Sequence, residues 1–273
     1  MTHLQSGPAV LDFGTAGASA RREHQRLNDA HRARRRRVRA SAGFVGLLVP
    51  AVMPVAMPGL LTGSLALAAA AASWWAQDRW FVRRYGTEAG VSWRIGAEGE
   101  EATAELLVPL RRQGWFWLHD RAVPPRRFNL DHLGIPPSGD RLVAVETKVW
   151  PRSHTVRLDR CGRLVCERFD RRGEARLQEK DVEAFIGETD ALLPHLPPGA
   201  LSVSRFLVVH GAHVAGGRFT LARRSPQLGQ DVTIEVVEAA QLAAALVVHA
   251  GGEANPGAAR RTAEWASARF PRR

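Results

Sequence analysis

A chain of 273 residues with a formal charge of +11 is long enough for one ordinary globular domain plus appended segments, and its pI near 11.2 favours an anionic partner, either nucleic acid or the acidic face of a membrane. Its two cysteines, Cys161 and Cys166, exclude a disulfide framework and lack the paired spacing of a zinc site. The basic residues are almost all Arg, which reads as a compositional bias, so the two lysines, Lys148 and Lys180, carry more information than any one arginine.

Residues 1–39 hold too few large apolar side chains for a core and end in HRARRRRVRA, which predicts a basic mobile arm. From residue 40 to 77 no side chain is charged, a stretch of membrane scale. Pro50, Pro54, Pro58 and Gly59 near its middle predict a transmembrane hairpin of two short helices, about 43–57 and 60–76, with Trp74, Trp75, Trp80 and Phe81 as interfacial anchors. Arg34–Arg37 and Arg39 precede this segment and Arg79, Arg83 and Arg84 follow it, a distribution that places both ends on the cytoplasmic side of the cell membrane. A twin-arginine export signal is the competing reading, but the apolar run far exceeds a signal core. Residues 78–92 read as a linker.

Beyond it, IGAEGEEATAELLVPLRRQG predicts a helix entered through Gly96 and Gly99 and ended near Gly114. Strands are expected at 115–119, 129–135 and 141–149, the last two separated by a PPSGD turn, followed by a hairpin region, HTVRLDRCGRLVCERF. Helical periodicity then covers 174–196, strands cover 204–210 and 232–237, and a helix closes the domain over 238–250. This order predicts a mixed α/β domain, a central sheet flanked by helices, with 249–273 as a basic C-terminal tail.

The chemistry concentrates in AVETKVW, residues 144–150. Residues two apart share a strand face, so Glu146 and Lys148 point the same way. In the preceding strand Asp131 shares its face with Leu133 and Ile135 and converges on Glu146 across the hairpin. On the helix, the period of 3.6 makes Glu100 the acid aligned with Thr103 and Leu107, and so the one most able to face the sheet. Carboxylates held near one another repel, and a hard divalent cation with oxygen ligands, Mg²⁺ or Mn²⁺, relieves that repulsion. Such a site suits metal-assisted phosphodiester hydrolysis, with Lys148 neutralising developing charge and Arg126 and Arg127 holding the substrate backbone. Trp150 packs at the strand end or stacks on a base; His132, on the opposite face, is a hydrogen-bonded core histidine or an assisting group.

The set GAEGEEATAELL, LHDRAVPPRRFNLDHLGIPPSG and VAVETKVW resembles the nuclease-related domain (NERD) family, a branch of the PD-(D/E)xK nuclease superfamily, over roughly residues 93–248 and most strongly over 96–150. The resemblance implies a restriction-endonuclease-like fold, a divalent metal, DNA as substrate, and functional roles for Glu100 of GxxGE, Asp131 of the Asp-His motif, and Glu146 and Lys148 of the acid-x-Lys motif. Here the chain has E-T-K-V-W where members often show D-T-K-x-W, and IPPSG replaces the more usual apolar-Gly-Pro-x-Gly turn. Gln178 falls where many superfamily members place a substrate-contacting glutamine. The expected protein is therefore a membrane-anchored, cytoplasm-facing nuclease; a membrane-tethered module that binds nucleic acid without cutting is the alternative, and a membrane protein that only docks a protein partner is the third.

Overall fold

In a computed structural model the described residues are 11–52, 59–87, 89–125, 129–169, 175–197 and 201–273. They form two compact units, Ala20–Arg94 and the described residues up to Ser19 with Ile95–Arg273.

The Ala20–Arg94 unit is built from helices α1 (Ala18–Val52) and α2 (Gly59–Tyr85). The residues expected to be a mobile arm are helical from Ala18 onward, because the run is rich in Arg and Ala, both strong helix formers, and holds no Gly or Pro up to residue 39. Two of its arginines are paired within the unit: Asp78 of α2 binds Arg35 at 2.7 Å and Arg39 at 2.8 Å of α1. Hydrogen bonds from both guanidinium groups hold the Asp78 carboxyl below the usual range. Phe81 is fully buried, with its ring 5.0 Å from that of His31, so it is not an interfacial anchor. Trp74, Trp75 and Trp80 are exposed.

The transmembrane hairpin is not supported. Among the described residues no helix is long and apolar enough to cross a membrane. The physical reason is composition: α1 carries the arginines within its own length, and the uncharged part of α2 is largely Ala, with Thr62, Ser64 and Ser73 interspersed. Part of the expected hairpin, residues 53–58, lies outside the described residues.

The other unit is a mixed α/β structure. Helix α3 (Val91–Arg111) leads into strands β1 (Phe116–Ala122), β2 (Asn129–Ile135) and β3 (Arg141–Leu158), then β4 (Leu164–Arg168) and β5 (Ala175–Leu177). Helix α4 (Glu179–Asp190) is followed by β6 (Ser202–Val214), β7 (Arg218–Arg224), β8 (Asp231–Glu238), α5 (Leu242–Val248) and α6 (Pro256–Arg269). The sheet runs in the order β1-β2-β3-β6-β8-β7, with β4 and β5 extending from the far half of β3. β3, β6 and β8 are mutually parallel and the remaining pairs antiparallel.

Strand alternation divides the core into two layers. Leu133, Ile135, Leu142 and Ala144 face Val182 and Phe185 of α4 and Ala259, Ala263 and Ala266 of α6. Val143, Val145 and Val208 face Leu107 and Leu110 of α3 and Leu246 of α5. Three expectations change. Gly96 and Gly99 lie inside α3 rather than at its start; a Cβ on Gly99 would come closer than 3.0 Å to Val149, which makes this glycine a packing requirement. Residues 175–177, expected to be helical, pair with β4 as a strand. The expected basic tail folds back as α6, capped by the Asn255 side chain accepting from the Ala258 N–H at 3.0 Å.

Candidate active site

Two carboxylates come from neighbouring antiparallel strands. The register pairing His132 with Val145 and Leu133 with Ala144 carries Asp131 opposite Glu146, and side chains at directly opposed positions project from one face. Asp131 Oδ2 accepts the Thr147 N–H at 2.8 Å. Burial raises Asp131 well above the ordinary carboxylate range, reinforced by repulsion from Glu146 and Glu100. Burial raises Glu146 as well, against the pull of Lys148.

Lys148 Nζ lies 3.0 Å from Glu146 Oε1 and 3.5 Å from Asp181 Oδ1. Burial disfavours its charge, yet Glu146 and Asp181 outweigh that penalty and raise its pKa, so it stays an ammonium. Asp181 comes from the first turn of α4, which packs on the same sheet face as Asp131 and Glu146.

Glu100 reaches the site differently. The close passage of α3 over β3 at Gly99 and Val149 puts it on the layer opposite the Asp131–Glu146 pair, where it is 8% exposed and Oε2 accepts the Gly17 N–H at 3.0 Å. Burial, then Asp120 and Glu146, push its carboxyl up to about 7. Gly17 has φ +71, and a Cβ there would lie 2.8 Å from the Ala97 carbonyl, so only glycine brings this N–H to Glu100.

Among the described residues no three His, Cys, Asp or Glu side chains group so as to hold a metal ion. Asp131 and Glu146 alone form a pair of hard oxygen donors whose mutual repulsion a cation would relieve. Mg²⁺ is commonly held by one or two carboxylates, with water and substrate phosphate completing its shell, so this donor set fits Mg²⁺ or Mn²⁺ on a two-carboxylate basis. Glu100 interacts with the pair through its charge.

Behind β2 and β3 runs a buried polar chain. His119 Nδ1 and His132 Nδ1 are 2.7 Å apart, His132 Nε2 is 3.4 Å from Thr147 Oγ1, Thr147 donates to Thr103 at 3.0 Å, and Thr103 Oγ1 is 2.7 Å from His210 Nε2. Burial depresses the pKa of His132 well below its usual value and that of His119 to about 4, which keeps both rings neutral. His132 is thus a core histidine that ties α3 to the strands bearing the carboxylates.

Two acids on α4 escaped the sequence reading. Asp181 touches Lys148; Glu188, seven residues on and hence on the same helical face, is pushed up to about 8 by burial and then by Glu146. The helical period through Gln178 would have found both. Trp150 and Gln178 line one cavity together, while Arg126 and Arg127 lie outside the described residues.

A mixed sheet whose adjoining strands present an acid pair and a lysine held by acids has the equipment of a phosphodiester-cleaving site. Residues 95–191 match the family of the nuclease-related domain (NERD), a span that contains Glu100, Asp131, Glu146, Lys148, Asp181 and Glu188 and suggests a nuclease-related function. Neither curated proteins nor solved structures match the chain.

Proposed function

We propose that the chain is a divalent-metal-dependent nuclease that hydrolyses phosphodiester bonds in DNA. The observation that carries the proposal is Lys148 Nζ at 3.0 Å from Glu146, with Asp131 opposite Glu146 on the neighbouring strand, on one face partway along β3. Asp131 and Glu146 would hold Mg²⁺ or Mn²⁺, which when bound supplies Lewis-acid activation of the scissile phosphate. Lys148 offsets negative charge that grows on the phosphoryl oxygens, and its two acceptors, Glu146 and Asp181, fix the ammonium in place and keep it protonated. The Thr147 N–H orients Asp131. Glu100 adds negative field from the other layer, and Arg126 and Arg127, just before β2, are proposed to bind the substrate backbone. A cytoplasmic location beside a membrane enters the proposal only as surface association through exposed Trp74, Trp75 and Trp80, without a spanning hairpin.

The test is cleavage of plasmid and single-stranded DNA by the full chain in Mg²⁺, Mn²⁺ or EDTA, beside Lys148→Ala and Glu146→Gln. Metal-dependent cutting by the native chain, lost in both variants, upholds the assignment. Undiminished cutting by the variants, or no cutting by the native chain, rejects it.

A further inference from the structure

Beside the acid pair the far half of β3, with β4, β5 and the start of α4, encloses a cavity of about 760 Å³. Trp150, His154, Arg168, Arg176, Leu177 and Gln178 contribute to its lining, and among the described residues no Asp or Glu does. In a domain whose neighbouring site gathers carboxylates, a wall with two arginines, a histidine and no acid selects an anionic occupant. Trp150 and Leu177 add an aromatic face and an apolar rim, a combination that accepts a base as well as a phosphate.

The cavity adjoins the site on two sides. Trp150 follows Lys148 by two residues along β3 and shares its strand face, about 7 Å away. Gln178 stands immediately before α4, one turn from Asp181, whose carboxylate touches Lys148. A nucleic-acid strand whose scissile phosphate meets Lys148 therefore runs directly into this cavity. Its size is that of a small-molecule pocket, about 300–1,000 Å³, enough for about two nucleotides and too small for paired strands.

Resting on the nuclease reading above, we infer that this cavity is a subsite for an unpaired DNA flank next to the scissile phosphate, with Trp150 stacking on a base and Arg168 and Arg176 holding the phosphates. The enzyme thereby prefers single-stranded DNA, or a single-stranded end, to an intact duplex.

The test is fluorescence anisotropy with the full chain in EDTA, where no metal-dependent cutting intervenes, using a labelled oligo(dT) of about 12 nucleotides, a blunt duplex of equal length and an oligo(U). The expected result is oligo(dT) binding at least about tenfold tighter than duplex. Trp150→Leu weakens it by roughly 5- to 100-fold, the loss of one base–aromatic stack. Trp150 also packs against the core, so the second variant uses the other side of the cavity: Arg168→Gln with Arg176→Gln lowers the slope of log affinity against log salt by about 1.4. Equal binding of duplex and single strand, native-like binding by both variants, or binding of oligo(U) alone overturns the inference. Single-strand binding that responds to the variants while the native chain cuts nothing rejects the nuclease and keeps the subsite. Metal-dependent cutting indifferent to strandedness and to these variants does the reverse.

Discussion

Gly99→Ala sets two magnitudes of opposite sign against each other. In an exposed helix the change stabilises by about 1 kcal/mol, because glycine loses more backbone freedom than alanine on folding. At this position the new Cβ would lie closer than 3.0 Å to Val149 Cγ2 and 3.3 Å from Thr147 Cγ2. Val149 is β-branched and stiff at χ1, and it stands on a strand hydrogen-bonded on its β6 side, so neither neighbour yields freely. Overpacking of this kind costs about 1–3 kcal/mol, which leaves Gly99→Ala less stable by about 1 kcal/mol net. Removing the obstacle reverses the sign: in a Val149→Ala background the same substitution is neutral or stabilising by up to about 1 kcal/mol, a coupling of about 1–3 kcal/mol. The assay is urea unfolding of the full chain followed by circular dichroism in the sheet region, over the four members of the cycle. A Gly99→Ala chain more stable than native, with no coupling to Val149, would refute the argument that close helix–strand contact requires this glycine.

Three further outcomes follow from the same geometry. Lys148→Arg retains the charge but replaces a compact ammonium with a wide planar fork between Glu146 and Asp181, so cleavage falls about as far as in Lys148→Ala, by roughly 100-fold or more; near-native turnover by Lys148→Arg would remove the geometric role of the lysine. In EDTA the Glu100 carboxyl titrates near about 7 when folded against 4.5 ordinarily, so the folded state holds a proton that the unfolded chain releases. That contribution is fully present below about pH 4.5 and lost as pH rises through about 7; Glu100→Gln flattens the decline in a pH series of melting curves, and an unchanged slope in the variant speaks against the buried acid. Arg205 and Asp190 form a buried pair at 3.1 Å, with Asp190 also accepting from Ser225 at 2.6 Å. Asp190→Leu alone destabilises by about 3–5 kcal/mol, and adding Arg205→Met recovers much of that in chemical denaturation.

The geometry of the candidate site was legible because its residues lie close together in sequence. Glu146 and Lys148 share a face through strand alternation alone, and the short hairpin between β2 and β3 brings Asp131 opposite Glu146. His132 fell on the opposite face by the same rule, and its partners there make it a core residue. Asp181 and Glu188 were missed although both lie on the part of the expected helix that is helical, because which sheet face that helix covers is set by packing. α6 was missed although Asn255-Pro256 is a helix-start signal, since its buried stripe is Ala259, Ala263 and Ala266, small side chains that contribute little apparent hydrophobicity. The expected membrane hairpin, read from a long uncharged and largely apolar run, is unsupported: among the described residues no helix is long and apolar enough to cross a membrane.

The sequence alone determined the period of α3 and of the strands that carry the site, the mixed α/β class and the pairing of Asp131, Glu146 and Lys148, because these depend on 2-residue and 3.6-residue repeats and on short connections. Only tertiary structure decided that Glu100 lies on the layer opposite the acid pair with the Gly17 N–H as its partner, 83 residues away in the chain. It likewise decided that α4 brings Asp181 to Lys148, and that β4 and β5 close a basic cavity around Trp150. Those contacts depend on which faces pack together and at what distance, and packing across long chain separations is set by the summed burial of the two core layers, not by any local pattern.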